Sequence, residues 1–526
     1  MPKVINDNFR RIFMTEFSYQ NDESKITTEE YEVKINIIDA VCGAGKTSAA
    51  INMINSSDKE QRFLYITPYL DEVQRITQAC KSKNFQQPEM YGSKLNHIKY
   101  LFEKGVNIVS THALFKNFDT ETIELVRAMN YILVMDEVAE VVESLNISKS
   151  DLQIVLQKTE VQDNGLLKWT DLSYSGELGN YRRLCELNAV FYHNNTALLY
   201  LFPVDCFKAF RQVYILTYMF DAQVQRYYYD FYGAKFKYIG VAGSNLKDYH
   251  FVNEVNYDAS KKFADLINIE QSINLNAVGD PDYSLSVSWY EKNIKSYSNC
   301  LKANLTNFFI NKTKTPSSKN LWTVFKDYKK QIQGKGYTKS FLSCNARATN
   351  AYRDRTAVAY MCNIFFNPIL KNFFEQKGVR IEEDKWALSE LLQFLFRSAI
   401  RQGEPIKLYI PSKRMRRLLQ RWIVGYYDNK INPNDVNAPK QIELTEEQIN
   451  GIKEKFAPID DVEEMSKKIA LEIIKTKIEG EVLNEMGYET EKEIPKDKKV
   501  EYQAAVKMRL ENIQQIRPEK GENKND

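Results

Sequence analysis

Cysteine is sparse and unpatterned in this chain. Seven residues (Cys42, Cys80, Cys185, Cys206, Cys300, Cys344, Cys362) are scattered, odd in number and never in a Cys-x-x-Cys pair. That argues against a disulfide framework and a zinc knuckle, and for a reducing cytosol. No uncharged stretch reaches the roughly eighteen residues needed to span a bilayer, and the N-terminus carries no apolar signal core. A soluble cytoplasmic protein without membrane contact is expected. No internal repeat is visible. Charge of one sign is also missing overall, the net being +3. Its distribution is uneven: residues 431–526 hold 16 Lys/Arg against 22 Asp/Glu, the other 430 hold 56 against 47. A mildly basic body and a mildly acidic tail fit a polyanion-binding core without requiring one.

What is present begins at Ile35-Asn-Ile-Ile-Asp-Ala-Val-Cys-Gly-Ala-Gly-Lys-Thr-Ser. A β-branched apolar run reads as a buried strand, a glycine-bearing loop follows from Ala40, and Lys46-Thr47 opens a helix. This is a phosphate-binding P-loop in a strand–loop–helix setting. Gly43 and Gly45 let backbone N–H groups curl around phosphate oxygens, with Cys42, Ala44 and Ser48 completing the cradle. Lys46 brings a cation to the β/γ-phosphates, and the Thr47 hydroxyl is suited to Mg²⁺. ATP and Mg²⁺ are the expected cofactors.

Four more apolar runs end at chemistry-bearing residues: Phe63–Pro68, Val106–Thr111, Tyr131–Met135 and Gln212–Thr217. Together they predict a parallel sheet covered by helices on both faces. The third delivers Asp136-Glu137 to the edge of the sheet. Asp136 would hold Mg²⁺ and Glu137 would polarise an attacking water. Thr67, Thr111 with His112, and Thr217 end neighbouring strands, where open α/β sheets collect their ligands; hydroxyls there suit phosphate contacts or plain helix capping. The stretch from about 145 to 210 is long for one crossover and predicts an inserted helical or hairpin element. A tyrosine cluster at 227–229 reads as packing rather than a nucleobase platform.

Beyond residue 226 the pattern changes. A helix is expected over about 347–366 and another over about 386–401, before a last strand at Ile406–Ile410. The second helix would place Gln393, Arg397 and Arg401 at i, i+4, i+8, one polar stripe on an otherwise apolar helix. Behind a P-loop domain such a stripe fits an arginine finger. Lys413-Arg-Met-Arg-Arg417 follows, either a basic track or a solvated helix face. The expected division is 1–32 as an N-terminal segment, 33–225 and 226–430 as two α/β units, and 431–526 as a charged helical extension with a frayed end.

These motifs in this order resemble a superfamily 2 helicase of the DEAD/DEAH-related kind, in wording close to a branch carried by bacteriophages. The resembling segments are Ala40–Thr47, Thr67-Pro-Tyr-Leu, Ser110-Thr-His112, Asp136-Glu-Val-Ala139, Leu216-Thr-Tyr218 and Gln393–Arg401. The resemblance covers about 33–425. It implies an α/β fold of two RecA-like parallel-sheet lobes with a helical C-terminal extension. It also implies catalytic roles for Lys46, Asp136, Glu137, Gln393, Arg397 and Arg401, and coupling through Thr217. Nucleic-acid contacts would come from Thr67, Thr111, His112, Arg347 and Arg353. Two departures stand out: the arginines of the last motif are four apart rather than three, with Phe396 where a glycine is usual, and no aromatic-plus-glutamine adenine clamp precedes residue 35. The implied activity is an ATP-driven helicase or translocase acting on single-stranded or forked DNA in phage replication or recombination. It would work as a monomer in the host cytoplasm and meet a replication protein through the C-terminal extension. Alternatives are a terminase-like packaging ATPase and a nucleotide-switched loader that unwinds nothing.

Overall fold

The computed structural model describes residues 34–427, apart from 69, 256–259 and 346–350, together with parts of 482–515. The expected N-terminal segment 1–32, the basic residue Arg347 and most of the acidic extension lie outside the described residues. The first sheet is built from the five runs read in the sequence: β1 (Ile35–Asp39), β2 (Phe63–Thr67), β3 (Ile108–Thr111) and β4 (Ile132–Asp136), then, after an insertion, β10 (Gln212–Thr217). Their side chains are almost all buried, as expected of parallel strands covered on both faces. The insertion is antiparallel. It holds β5 (Val142–Leu145), a hairpin of β6 (Thr159–Val161) and β7 (Leu167–Trp169), then β8 (Val190–His193) and β9 (Ala197–Leu201).

The first sheet does not stop at residue 225. β11 (Phe236–Ala242) pairs in parallel with β1, and β12 (His250–Val252) folds back on β11, giving the order β12-β11-β1-β10-β4-β2-β3. The boundary expected at 225/226 therefore falls inside this sheet. The tyrosine-rich segment that prompted it is a helix of the first lobe, Val224–Phe231, with Tyr227, Tyr228 and Tyr229 all buried. The second sheet is β13 (Ile267–Ile269), β14 (Asn320–Thr323), β15 (Ala357–Tyr360) and β16 (Ile406–Tyr409), wholly parallel in the order β13-β16-β15-β14. A mainly parallel sheet and a wholly parallel one, each flanked by helices, are the two RecA-like lobes. A further helix, Lys499–Gln515, belongs to the extension.

Two expected helices differ from the fold. Residues 347–366 are not helical where described: Ala357-Val-Ala-Tyr360 is an interior strand with every side chain buried. Its alanines give no periodic signal, so only the pairing with β14 and β16 decides it. The helix expected over 386–401 is Glu383–Leu395 and ends early. Ser398 sits in extended backbone, with its N–H and hydroxyl both donating to the Leu395 carbonyl at 2.9 and 2.6 Å. That serine competes with the helical ladder and breaks it. Gln393, Arg397 and Arg401 thus lie on a helix, a turn and a 3₁₀ segment (Ala399–Gln402) in succession, and not on one helical stripe.

The lobes meet along a packed seam. Val41, Met219 and Ala222 of the first lobe share a core with Leu388, Leu391, Phe396 and Trp422 of the second. Polar ties cross it: Lys385 to Asp221 at 2.7 Å, Gln223 Nε2 to Ser389 Oγ at 3.1 Å, and Trp422 Nε1 to the Tyr218 hydroxyl at 2.8 Å.

Candidate active site in the seam

β1 ends where the loop Ala40–Gly45 begins, and a helix, α1 (Lys46–Ser56), leaves it. Gly43 and Gly45 hold φ of 85° and 87°, a region open to glycine and costly for residues with a Cβ. Lys46 Nζ donates to the Ala40 carbonyl and, at 3.2 Å, to that of Val41. The ammonium therefore rests inside its own loop, on backbone oxygens it can exchange for phosphate oxygens. Cys42, Ala44 and Ser48 line the loop and the first helical turn, all partly exposed.

The acids arrive from β4. Thr47 Oγ1 faces Asp136 Oδ2 at 3.5 Å. Both are hard oxygen donors, the chemistry Mg²⁺ prefers. Among the described residues no group of three or more His, Cys, Asp or Glu could hold a metal. Two protein oxygens completed by phosphate and water are how nucleotide-bound Mg²⁺ is commonly held, so the donor set fits that ion. Burial raises the Asp136 carboxyl to about 7, the neighbouring Glu137 adds to the rise, and Lys46 opposes it. A carboxyl so displaced gains when a cation reaches it. Glu137 takes φ 67°, and its N–H donates to the Leu216 carbonyl at 2.9 Å. Left-handed backbone at a residue with a full side chain costs about 1–3 kcal/mol and concentrates at functional sites.

The other strand ends divide. Thr217 is buried, its carbonyl accepts from Ala40 N–H at 3.1 Å, and it pairs in register with Asp39. It joins the P-loop to β10. Thr67 is fully buried, with a hydroxyl that has no partner among the described residues. That corrects its expected role, since a side chain closed off from solvent cannot touch a polymer passing over the sheet. His112 Nε2 lies 2.8 Å from the Asp136 carbonyl oxygen, so its ring braces the end of β4. Thr111 is partly exposed and Arg353 exposed, both open to a ligand. The basic run after β16 is a helix, Lys413–Ile423, whose arginines are partly consumed internally. Arg414 binds Asp384 and the Ile364 carbonyl, both at 2.7 Å, while Arg416 binds the Ile410 carbonyl at 2.7 Å.

The second lobe closes the site. Lys46, Glu137, Arg397 and Arg401 all act electrostatically on the Cys42 thiol, whose titration burial pushes upward. Charges from both lobes therefore converge on the P-loop. The Arg401 carbonyl lies 4.0 Å from where a Cβ on Gly43 would stand. Arg397 is only 6% exposed, and its Nε has no hydrogen-bond partner among the described residues. A buried guanidinium nitrogen without a partner is costly unless an acceptor joins it. Gln393 is buried one turn earlier. Lys46, Glu137, Arg397 and Arg401 thus act on one loop, although the helical stripe that suggested the arginines is broken.

Two residues at this site carry no sequence signal of their own. Asp39 ends β1 and accepts from the Met219 and Phe220 N–H groups at 2.7 and 2.9 Å, tying the P-loop strand to the turn after β10. Burial and the nearby Asp221 raise its carboxyl to about 6. Tyr249, from the β11–β12 hairpin, packs against Gly45.

Three families match the chain in sequence: "Type III restriction enzyme, res subunit" over 13–160, "YonV middle domain" over 142–200, and "YonV C-terminal Rossmann-like domain" over 261–423. The middle match coincides with the antiparallel insertion and the last with the second sheet. The chain is 40% identical over 407 residues to YonV, an SPbeta prophage-derived protein of Bacillus subtilis (strain 168), covering 74% of this chain and 98% of that one. Solved structures with some likeness are Xpd4 of S. tokodaii (TM-score 0.35, 10% identity, 73% of this chain and 93% of that chain) and the DUF1998 helicase MrfA bound to DNA and AMPPNP (TM-score 0.28, 10% identity, 83% and 55%). Scores that low carry no argument. Among the described residues no helix is long and apolar enough to cross a membrane. The chain belongs to the YonV family, and with a P-loop lobe of the restriction-enzyme helicase type facing a Rossmann-like second lobe it is a superfamily 2 helicase-like protein.

Proposed function

We propose that the chain is an ATP-driven motor on nucleic acid, a helicase or translocase working on single-stranded or forked DNA in phage replication or recombination. One observation carries the reading: Arg397, from the second lobe, is buried beside the P-loop of the first with an unpartnered Nε. Lodging a cation there is unfavourable in the empty protein and favourable once a γ-phosphate completes the seam, so nucleotide occupancy and lobe apposition are coupled. Bound Mg²⁺·ATP would supply the scissile phosphoanhydride and the charge that draws the lobes together. Lys46 and the loop N–H groups hold the phosphates, while Thr47 and Asp136 offer oxygens to the cation. Glu137 orients water and takes its proton, Arg397 stabilises charge developing on the transferred phosphoryl group, and Arg401 stands beside it. Asp39 and Thr217 link that chemistry to the turn after β10. Thr111, Arg353 and, outside the described residues, Arg347 are the proposed contacts to the polymer. The C-terminal extension is the proposed dock for a replication partner, and one chain suffices for the cycle.

The test is ATP turnover by the purified chain with and without single-stranded or forked DNA, alongside strand separation on the fork. Stimulation of at least tenfold with unwinding is expected. Turnover indifferent to nucleic acid would remove the motor reading, and slow hydrolysis without unwinding would point to a nucleotide-switched loader. A packaging ATPase is the less favoured reading, since the second lobe sets Arg397 beside the P-loop.

A further inference from the structure

The β11–β12 hairpin extends the first sheet on the far side of β1 from Asp136. β10 and β4 lie on one flank of the P-loop strand, β11 and β12 on the other. Neighbouring strands are about 4.8 Å apart, so the two flanks of the loop lie on the order of 20 Å apart, enough for an extended nucleotide. Beyond the loop itself, the groups proposed to act on the phosphates belong to the β4 flank and the seam. Whatever is attached to the phosphates must leave across the other flank, and the hairpin stands there.

Its construction is specific. Asn52, on the P-loop helix α1, donates its side-chain amide to the Leu246 and Tyr249 carbonyls at 3.0 and 2.9 Å, pinning the hairpin to that helix. Gly243 turns at φ 120°, where a Cβ would meet the Tyr249 Cα at 2.7 Å. Phe251 stacks on Tyr214 of β10 with centroids 5.8 Å apart and planes 11° from parallel, anchoring the return strand. Tyr249 is held between these anchors. Its Cδ1 lies 2.3 Å from the site of a Cβ on Gly45, so the ring rests on the glycine backbone itself, in a space no other residue could leave. The ring is half-buried.

We propose that Tyr249 is the nucleobase platform of this site: a planar aromatic, fixed to the flank of the P-loop, on which the base of a purine nucleoside triphosphate stacks. The inference rests on the P-loop being a nucleotide site and adds the group that recognises the base. Stacking is geometry-tolerant and favours the larger purine surface, so the platform selects purine over pyrimidine without fixing which purine.

The experiment measures binding of ATP and of inorganic tripolyphosphate to the full chain and to Tyr249→Phe and Tyr249→Ala, with melting curves to establish folding. Tyr249→Phe keeps both affinities. Tyr249→Ala weakens ATP about tenfold, the scale of one lost base–aromatic stack, leaves tripolyphosphate unchanged and erases the preference for ATP over CTP. An alanine variant that loses ATP and tripolyphosphate alike, or neither, overturns the platform. A wild-type chain that binds neither ligand overturns the nucleotide reading, and the platform with it.

Discussion

Replacing Arg397 with methionine should stabilise the empty protein and disable the working one. The guanidinium is 6% exposed, and its Nε finds no partner among the described residues. Exchanging a buried charged group for an apolar one of similar length typically gains about 1–4 kcal/mol. In a lobe of this size each kcal/mol moves the midpoint by roughly 2–4 °C, so a rise of about 2–16 °C is expected in nucleotide-free buffer. Turnover should fall by about 10³-fold or more, the usual contribution of a cation delivered to a transferring phosphoryl group. The rise in melting temperature that ATP and Mg²⁺ give the wild type should shrink in the variant. Differential scanning fluorimetry and a phosphate-release assay read both signs. A variant that melts below wild type and turns over within tenfold of it would refute the reasoning, since Arg397 would then be an ordinary structural side chain.

Three further outcomes follow from the site. Asp136 is raised from 3.8 to about 7, so the stability it contributes is complete below pH 3.8 and is lost as pH climbs through about 7. That interval of about three units, at ~1.4 kcal/mol each, caps the effect near 4 kcal/mol, and partial exposure to solvent reduces it. Asp136→Asn should therefore flatten the decline in melting temperature between pH 5 and 8 in metal-free buffer; an unchanged slope would show another group is responsible. Glu137→Gln should bind ATP normally and slow hydrolysis at least 10²-fold in single-turnover kinetics, whereas Lys46→Ala should lose ATP affinity first, as read by nucleotide titration. Lys385→Met cuts the 2.7 Å ion pair to Asp221 across the seam; tighter DNA-independent turnover control should be lost, and an ATPase equally dependent on DNA in variant and wild type would contradict this.

Some of this protein could be read without a structure. Five of the seven strands of the first sheet, the P-loop and the Asp136-Glu137 pair were legible because each is local: a β-branched run, two glycines before a lysine, and acids at the end of an apolar strand are set by neighbouring residues. The second lobe was not legible in the same way. Ala357–Tyr360 has no periodicity that separates strand from helix, and the 20-residue helix Val287–Thr306 lay hidden in a lysine- and asparagine-rich stretch.

What the amino-acid order determined by itself is the set of groups on offer: a glycine-bearing loop with its lysine and threonine, two acids at the end of an apolar strand, and two arginines far along the chain. What only the tertiary structure decided is which of these meet. Ser398 breaks the helix that would have aligned Gln393, Arg397 and Arg401, yet the packing of Phe396 and Trp422 against Val41 still brings the arginines to the P-loop. Thr67 is withdrawn into the interior, and Tyr249, some two hundred residues from Gly45, arrives to cover it. Contacts of that kind come from burying side chains between distant elements, and that burial is a property of the assembled surfaces, which no single segment contains.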